Sequence, residues 1–491
     1  MVPQPKYRNC LRMRFFHAQT DLHPSPPNDE EYSLKFSRQS ADSFIAFLPP
    51  EILAAILVCA RPTRRLRRKI AFEVTLSHVC MQWRGVALTT PALWTTINIS
   101  STISLSWVPI YLQRSGDGTP LDIRVDIYTE DRFVRRRAAK NTAIVQAITD
   151  LILLHIGRCR SLLIFTFHEE TACLILSRLR NVAAPLLERL RINAGRVSQP
   201  FTDPTAAADY ILSGGAPRLR FLETETMKCF PLANLATLHL HSLQHAEPME
   251  YEQLTQIFAA LPVLSNLSIC GSMHSSQWPL HLTAPTFHMS SLRSLMIAED
   301  WPIVAQFLVS VSAPLLQSLW LDCSFYSPIF FEAPQMLTGS KFPVLKCLTL
   351  ESYNMYSIDS FAGIFPTITH LHLCYTVLFH VRYFERALVA VPTMWGQLAT
   401  LIVTTRTIDH ARKFFETLCR ILPDRRRAEA PFRSLLLDGD LFRFLLAQKS
   451  DLLHEHLTIE ELRKDNYSEF WWLNRHEDTV DRIGVPLIGD P

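Results

Sequence analysis

Pro314-Leu315-Leu316-Gln317-Ser318-Leu319-Trp320-Leu321 is followed in the same phase by Pro343-Val344-Leu345-Lys346-Cys347-Leu348-Thr349-Leu350. Both read Pro-x-Leu-x-x-Leu-x-Leu. The alternating Leu-x-Leu end predicts a short strand with its leucines on one face. Further copies start at Pro185 (Leu187, Leu190, Ile192), Pro262 (Leu264, Leu267, Ile269) and Pro366 (Ile368, Leu371, Leu373). Leu235/Leu238/Leu240, Leu292/Leu295/Ile297, Leu398/Leu401/Val403 and Phe432/Leu435/Leu437 repeat the spacing without the proline, and Leu219/Leu222/Thr224 is a degraded copy. The last apolar positions fall at 240, 269, 297, 321, 350, 373, 403 and 437, so the period runs from 23 to 34 residues. Such a period fits one strand and one return segment, each unit burying its apolar face against the next.

The return segments carry helical patterns at Tyr251 to Ala260, Trp301 to Ser312 and Tyr356 to Phe365. Thr407 to Leu422 is the clearest, with Ile408, Ala411, Phe415, Leu418 and Leu422 on one face. Helix, proline and strand in succession predict stacked β-α units with a parallel sheet along one side, the proline stopping each helix. Working outward, Trp94 to Ile99 predicts a strand, Trp107 to Gln113 a short helix, and Leu121-x-Ile123-x-Val125-x-Ile127 a second strand. Phe133 to Ile156 predicts a helix. Beyond the array, Thr458-x-x-Glu461 is a capping-box pattern and predicts a helix through Trp472, with Trp471 and Trp472 covering the last unit.

The N-terminal side has a different texture. Phe44-Ile45-Ala46-Phe47-Leu48-Pro49-Pro50-Glu51-Ile52-Leu53 opens a helix. Pro50 suits the first turn, and Glu51 complements the positive end of the helix dipole. Ile52, Leu53, Ile56 and Leu57 form an apolar stripe, and Leu76, Val79, Cys80, Trp83, Val86 and Ala87 form a second before Pro91. Helices this short bury little surface by themselves. Leu48, Ile52, Ile56, Val79 and Trp83 are therefore candidates for contact with another protein.

Leu48-Pro49-x-Glu51-Ile52-Leu53, then Val79-Cys80-x-x-Trp83-Arg84, then Ala87-Leu88-Thr89-Thr90-Pro91-x-Leu93-Trp94 resembles the F-box, in the form abundant in fungi. The resemblance covers about a tenth of the chain. The basic run Arg64-Arg65-x-Arg67-Arg68-Lys69 departs from it, where the family carries a more apolar turn. The resemblance implies a three-helix module that docks on the Skp adaptor of an SCF-type cullin–RING ubiquitin ligase. It assigns Leu48, Pro49, Glu51, Ile52, Leu53, Ile56, Leu57, Val79, Cys80, Trp83 and Arg84 to the adaptor-binding face. The array resembles the leucine-rich repeats that often follow an F-box, without their asparagine. Three residues past the last leucine stand Ser272, Asp300, Ser324, Tyr353, Thr376 and Arg406, which implies an irregular solenoid. The implied role is that of a substrate receptor; the alternative is a non-catalytic interaction scaffold with no ligase role.

Composition narrows the remaining classes. Of 491 residues, 48% are hydrophobic and 19% charged, so most of the chain should fold. A net charge of +3 gives no electrostatic case for nucleic acid or an anionic membrane. Eleven cysteines without a C-x-x-C pair suggest neither a zinc ribbon nor a disulfide framework, and predict buried free thiols in a reducing compartment. Trp301 to Leu321 and Ala387 to Thr405 lack charge, but prolines, glutamines and the repeat phase argue against membrane spans. The expected location is cytoplasmic, nuclear or both.

No phosphate-binding glycine loop, G-x-S-x-G or H-E-x-x-H occurs, so no enzymatic activity, cofactor or metal is expected. His239-x-His241, His370-x-His372 and His454-x-His456 read as surface histidines. Arg135-Arg136-Arg137 and Arg425-Arg426-Arg427 read as solvated faces, with nuclear import as the alternative.

The expected organisation is a disordered tail (1–42), the helical module (43–95), linking strands and helices (96–158), the repeat array (159–440) and a C-terminal cap and tail (441–491). Between the leucines, Arg191, His239, Ser268, Met296, Trp320, Thr349, His372 and Ile402 point the other way and should form an exposed row. Arg191, His239, Trp320 and His372 are its target-binding candidates. Trp320 is either an anchor for a protein partner or covered by a neighbouring loop.

Overall fold

A computed structural model describes residues 44–61, 71–100, 105–127, 138–166, 169–193, 211–224, 233–240, 251–270, 286–298, 301–322, 341–351, 358–374, 395–404, 411–427, 433–447, 453 and 457–462. The expected tail at 1–42, the basic run at 64–69, the post-leucine positions from Ser272 to Arg406, Trp471 and Trp472 lie outside the described residues. So do His241, His454, His456 and Arg135 to Arg137. The chain divides into two compact units between Leu93 and Trp94.

The first unit contains α1 (Pro50–Cys59), α2 (Phe72–Leu76) and α3 (Met81–Thr89). Pro50 stands at the start of α1, where its missing N–H costs no intrahelical bond. The Gln82 side-chain amide donates to the Leu48 carbonyl at 3.2 Å, tying α3 to the entry of α1. The stripe from Leu76 to Ala87 is not one helix, as its spacing predicts. α2 ends at Leu76, and Cys80 is extended (φ −157°, ψ 175°), with its sulfur accepting from the Trp83 N–H at 3.5 Å. A side chain that caps the backbone competes with helix continuation, and here the cap prevails.

The second unit is a mixed α/β structure built on a long parallel sheet. Its strands are β1 (Thr96–Ser100), β2 (Leu121–Ile127), β3 (Cys159–Thr166), β4 (Arg189–Asn193), β5 (Phe221–Thr224), β6 (Thr237–Leu240) and β7 (Asn266–Cys270). A two-residue β8 (Phe287–His288) precedes β9 (Ser294–Ala298), and β10 (Val311–Ser312) precedes β11 (Ser318–Asp322). β12 (Cys347–Glu351), β13 (His370–Cys374), β14 (Thr400–Val403), β15 (Ser434–Leu437) and β16 (Thr458–Glu461) complete it. Apart from β8 and β10, which pair with each other, the strands form one 14-stranded sheet in chain order. Every described pair in it is parallel, and the register aligns the repeats. Leu238, Leu267, Leu295, Leu319, Leu348, Leu371, Leu401 and Leu435 stand side by side across eight strands. All are buried.

The helices among the described residues are α4 (Val108–Ser115), α5 (Ala138–His155), α6 (Glu169–Arg178), α7 (Tyr251–Ala259) and α8 (Trp301–Ser310). α9 (Ile358–Ile364), α10 (Ala411–Arg427) and α11 (Gly439–Ala447) follow. None is long and apolar enough to cross a membrane. The charge-poor window from Trp301 is instead α8, β10 and β11 in succession.

The repeat proline occupies a turn corner just before its strand. The N–H of Leu264 donates to Leu261 O, that of Leu316 to Ala313 O and that of Leu345 to Phe342 O, closing turns with Pro262, Pro314 and Pro343 in the second position. Proline is suited to that position because its φ is already set. Met289 to Leu292 and Trp395 to Leu398 close the same turn without proline, which explains the proline-free copies.

The capping-box pattern at Thr458-x-x-Glu461 does not start a helix. These residues form β16, in register with β15 from Ser434↔Thr458 to Leu437↔Glu461, flanked by buried Leu457 and Leu462. A local capping preference of about 1 kcal/mol is outweighed by ladder bonds and two buried leucines.

Candidate functional site

Two surfaces carry the sequence-derived candidates. In the first unit, Ile52 is 50% exposed, Val79 56%, Phe47 77% and Met81 90%. Ile56 and Ile45 are also largely exposed. Pro49, Glu51, Cys80 and Arg84 are exposed, whereas Leu48 and Trp83 are half-buried. Leu53 and Leu57, at the adjoining part of the same stripe, are buried and offer no side chain to a partner. Exposed apolar residues are ordinary when scattered; six of them on so small a unit make it the candidate for contact with another protein. Phe47 and Met81 complete the group; both flank motif positions and were not among the candidates.

The second surface is the sheet face opposite the leucine ladder. The register places Arg191, Glu223, His239, Ser268, Met296, Trp320, Thr349, His372 and Ile402 in one row across β4 to β14, without the minor strands. The row is not exposed as the alternation predicts. Arg191, His239, Trp320 and His372 are all buried, Trp320 completely. His239 and His372 are accordingly not surface histidines. The physical reason is that parallel sheets are normally covered on both faces. Met296, Trp320 and Ile402 belong with Leu462 to one buried apolar cluster on this side.

Towards β2 the row becomes charged. Arg191 Nη2 lies 2.6 Å from Glu223 Oε1 with both groups buried, and Arg124 Nε lies 2.9 Å from an Asp126 oxygen. The Arg124 and Arg191 guanidiniums approach the Phe165 ring at 4.9 and 5.2 Å from its centre. These contacts offset part of the cost of burying Arg191, while Arg124 is half-buried. Glu223, Arg124 and Asp126 are not among the residues that the repeat phase singles out. The signal was present: a charged residue within an alternating strand next to another charged strand.

The chemistry of these groups is that of satisfied structure. Burial pushes the Cys159 thiol up to about 12, away from the thiolate that nucleophilic attack needs. Burial lowers Lys341 to about 8, and its ammonium donates to the Val309 carbonyl near the end of α8. Among the described residues no group of three or more His, Cys, Asp or Glu side chains could hold a metal ion. Eight described cysteines are free; Cys59 and Cys80 are exposed, contrary to the expectation of buried thiols.

No known protein family matches the chain, and no curated protein does. A crystal structure of a Bacteroides fragilis protein, solved by the Northeast Structural Genomics Consortium, is similar over 65% of this chain and 69% of its own, at 13% identity and a TM-score of 0.28. Neither family nor activity follows from a likeness of that size.

Proposed function

We propose that the protein is a substrate-receptor subunit of an SCF-type cullin–RING ubiquitin ligase. The first unit, an F-box-like module, docks on a Skp adaptor and through it on the cullin, and the repeat-bearing sheet, a leucine-rich-repeat-like array, presents a target protein. The observation that carries this reading is the exposure of Phe47, Ile52, Ile56, Val79 and Met81 on a unit of short helices. Ile52 and Val79 are motif positions of the F-box resemblance, and Ile56 is on the face that it assigns to the adaptor. A docking helix pair would keep such residues uncovered until its partner arrives, because burying them on assembly supplies the hydrophobic driving force.

Target capture needs a surface other than the one the alternation predicted. With Arg191, His239, Trp320 and His372 buried, the large apolar side chains exposed among the described residues of the repeats are Val263, Leu315 and Val344. Each follows the proline of a strand-entry turn. These are the positions at which this reading places target contact.

The test is co-purification of the full-length chain with a Skp adaptor and a cullin. Wild type should retain both, and I52D/V79D should lose both while keeping its circular dichroism spectrum. Failure of the wild-type chain to bind any adaptor overturns the ligase role and leaves the interaction scaffold.

A further inference from the structure

Trp320, Thr349 and His372 project side by side from β11, β12 and β13, each the register neighbour of the next, with Ile402 following on β14. All four side chains are buried. Two polar atoms in this row are anomalous. Thr349 Oγ1 and His372 Nδ1 are sealed from solvent and have no hydrogen-bond partner among the described residues. The other ring nitrogen of His372, Nε2, lies 3.3 Å from Thr404 Oγ1. Burial keeps the imidazole neutral, lowering it to about 3.

Buried polar groups in folded proteins are almost always paired, since an unpaired one forfeits its hydration without return. Adjacent strands stand about 4.8 Å apart, so atoms on register neighbours lie within reach of one molecule bonding to both at about 2.8 Å. The nearest buried charge on this face is Glu351, two residues past Thr349 on β12, which would repel an anion, whereas a neutral guest needs no counter-charge. The guest must also donate or accept as required, because a neutral imidazole has one nitrogen of each kind and a hydroxyl does both.

We infer that a single buried water molecule bridges Thr349 Oγ1 and His372 Nδ1 and forms part of the closed face of the sheet. Water is neutral, serves as donor and acceptor, and occupies such positions when two or more polar groups surround it. The bridge joins β12 to β13 through side chains, in addition to the backbone ladder.

A crystal structure of the full-length chain and of T349V tests this directly. Wild type should show one isolated peak within hydrogen-bonding distance of both atoms, and T349V should lack it. Urea unfolding gives the second measure. T349V and H372F should each lower the midpoint, and the double variant should lower it no further than the worse single, because both lose the same bridge. An unoccupied gap, density larger than one atom, or a double variant whose midpoint shift equals the sum of the singles would overturn the assignment. If H372F does not fold, the presence or loss of the peak in T349V decides alone.

Discussion

Helix α1 and strand β11 are both rich in aliphatic side chains, and they use them differently. In α1, Leu53 and Leu57 are buried, while Ile52 and Ile56 face water. In β11, Leu319 and Leu321 lie on the ladder face and Trp320 on the other, and all three are buried. Periodicity accounts for one face of each element. It does not say what meets the other. A parallel sheet closes both of its faces, so its apolar residues contribute to folding; a short helix with an open side leaves some of them free for association.

The largest test of this contrast is Trp320→Ala. If the second face is a packed interior, truncating a completely buried Trp should cost about 3–5 kcal/mol of unfolding free energy. Urea denaturation of the full-length variant measures it. A loss below about 1 kcal/mol, the range of surface sites, would return Trp320 to the exposed role that alternation predicted.

Leu53→Ala comes next. Leu53 is buried beside exposed Ile52 on the same helix, and its truncation should cost about 2–4 kcal/mol in the stability of the first unit. Limited proteolysis between Leu48 and Leu93 reports that unit separately. Equal sensitivity of L53A and wild type would mean that α1 has no buried side and that the two-sided description fails.

The leucine ladder was legible because it depends only on spacing: Leu267, Leu295, Leu319, Leu348, Leu371 and Leu401 align in the register that the repeat implies. So were β2, α7 and α10, within a few residues. The second face was misread for a physical reason. Alternation predicts one wet side, but Met296, Trp320 and Ile402 in that row are apolar, and apolar residues at both phases are what a doubly covered strand requires. β16 was hidden behind a capping motif whose local preference loses to the sheet edge. β8 and β10 are two residues each, too short to leave a pattern. At the first surface, the resemblance assigns Ile52, Ile56 and Val79 to the adaptor-binding face, but it does not separate exposed Ile52 from buried Leu53.

A smaller effect follows from His372. Its native value of about 3 lies below the ordinary 6.5, so the unfolded chain binds a proton that the native chain refuses. Its contribution to stability is complete above about pH 6.5 and is lost as pH falls towards 3, with a slope of at most about 1.4 kcal/mol per pH unit. Between pH 7 and 5.5 the loss is about 1 kcal/mol. His372→Gln should flatten that part of the profile. An unchanged slope would mean that the imidazole is reachable by solvent and the second face is open at β13.

The smallest effect is the most discriminating one. Ile52→Ala and Val79→Ala remove side chains that are half in solvent, so each should change stability by no more than about 0.5 kcal/mol. A neutral result in urea is the expected outcome, and its meaning comes from setting it beside adaptor retention on an affinity column. Loss of retention with unchanged stability identifies an apolar surface maintained for association, as α1 suggests. If both variants destabilise the chain by about 2 kcal/mol, a magnitude that belongs to buried positions, then Ile52 and Val79 are packed in solution. The helices would then use their apolar residues as the sheet does, and the distinction between the two regions would disappear.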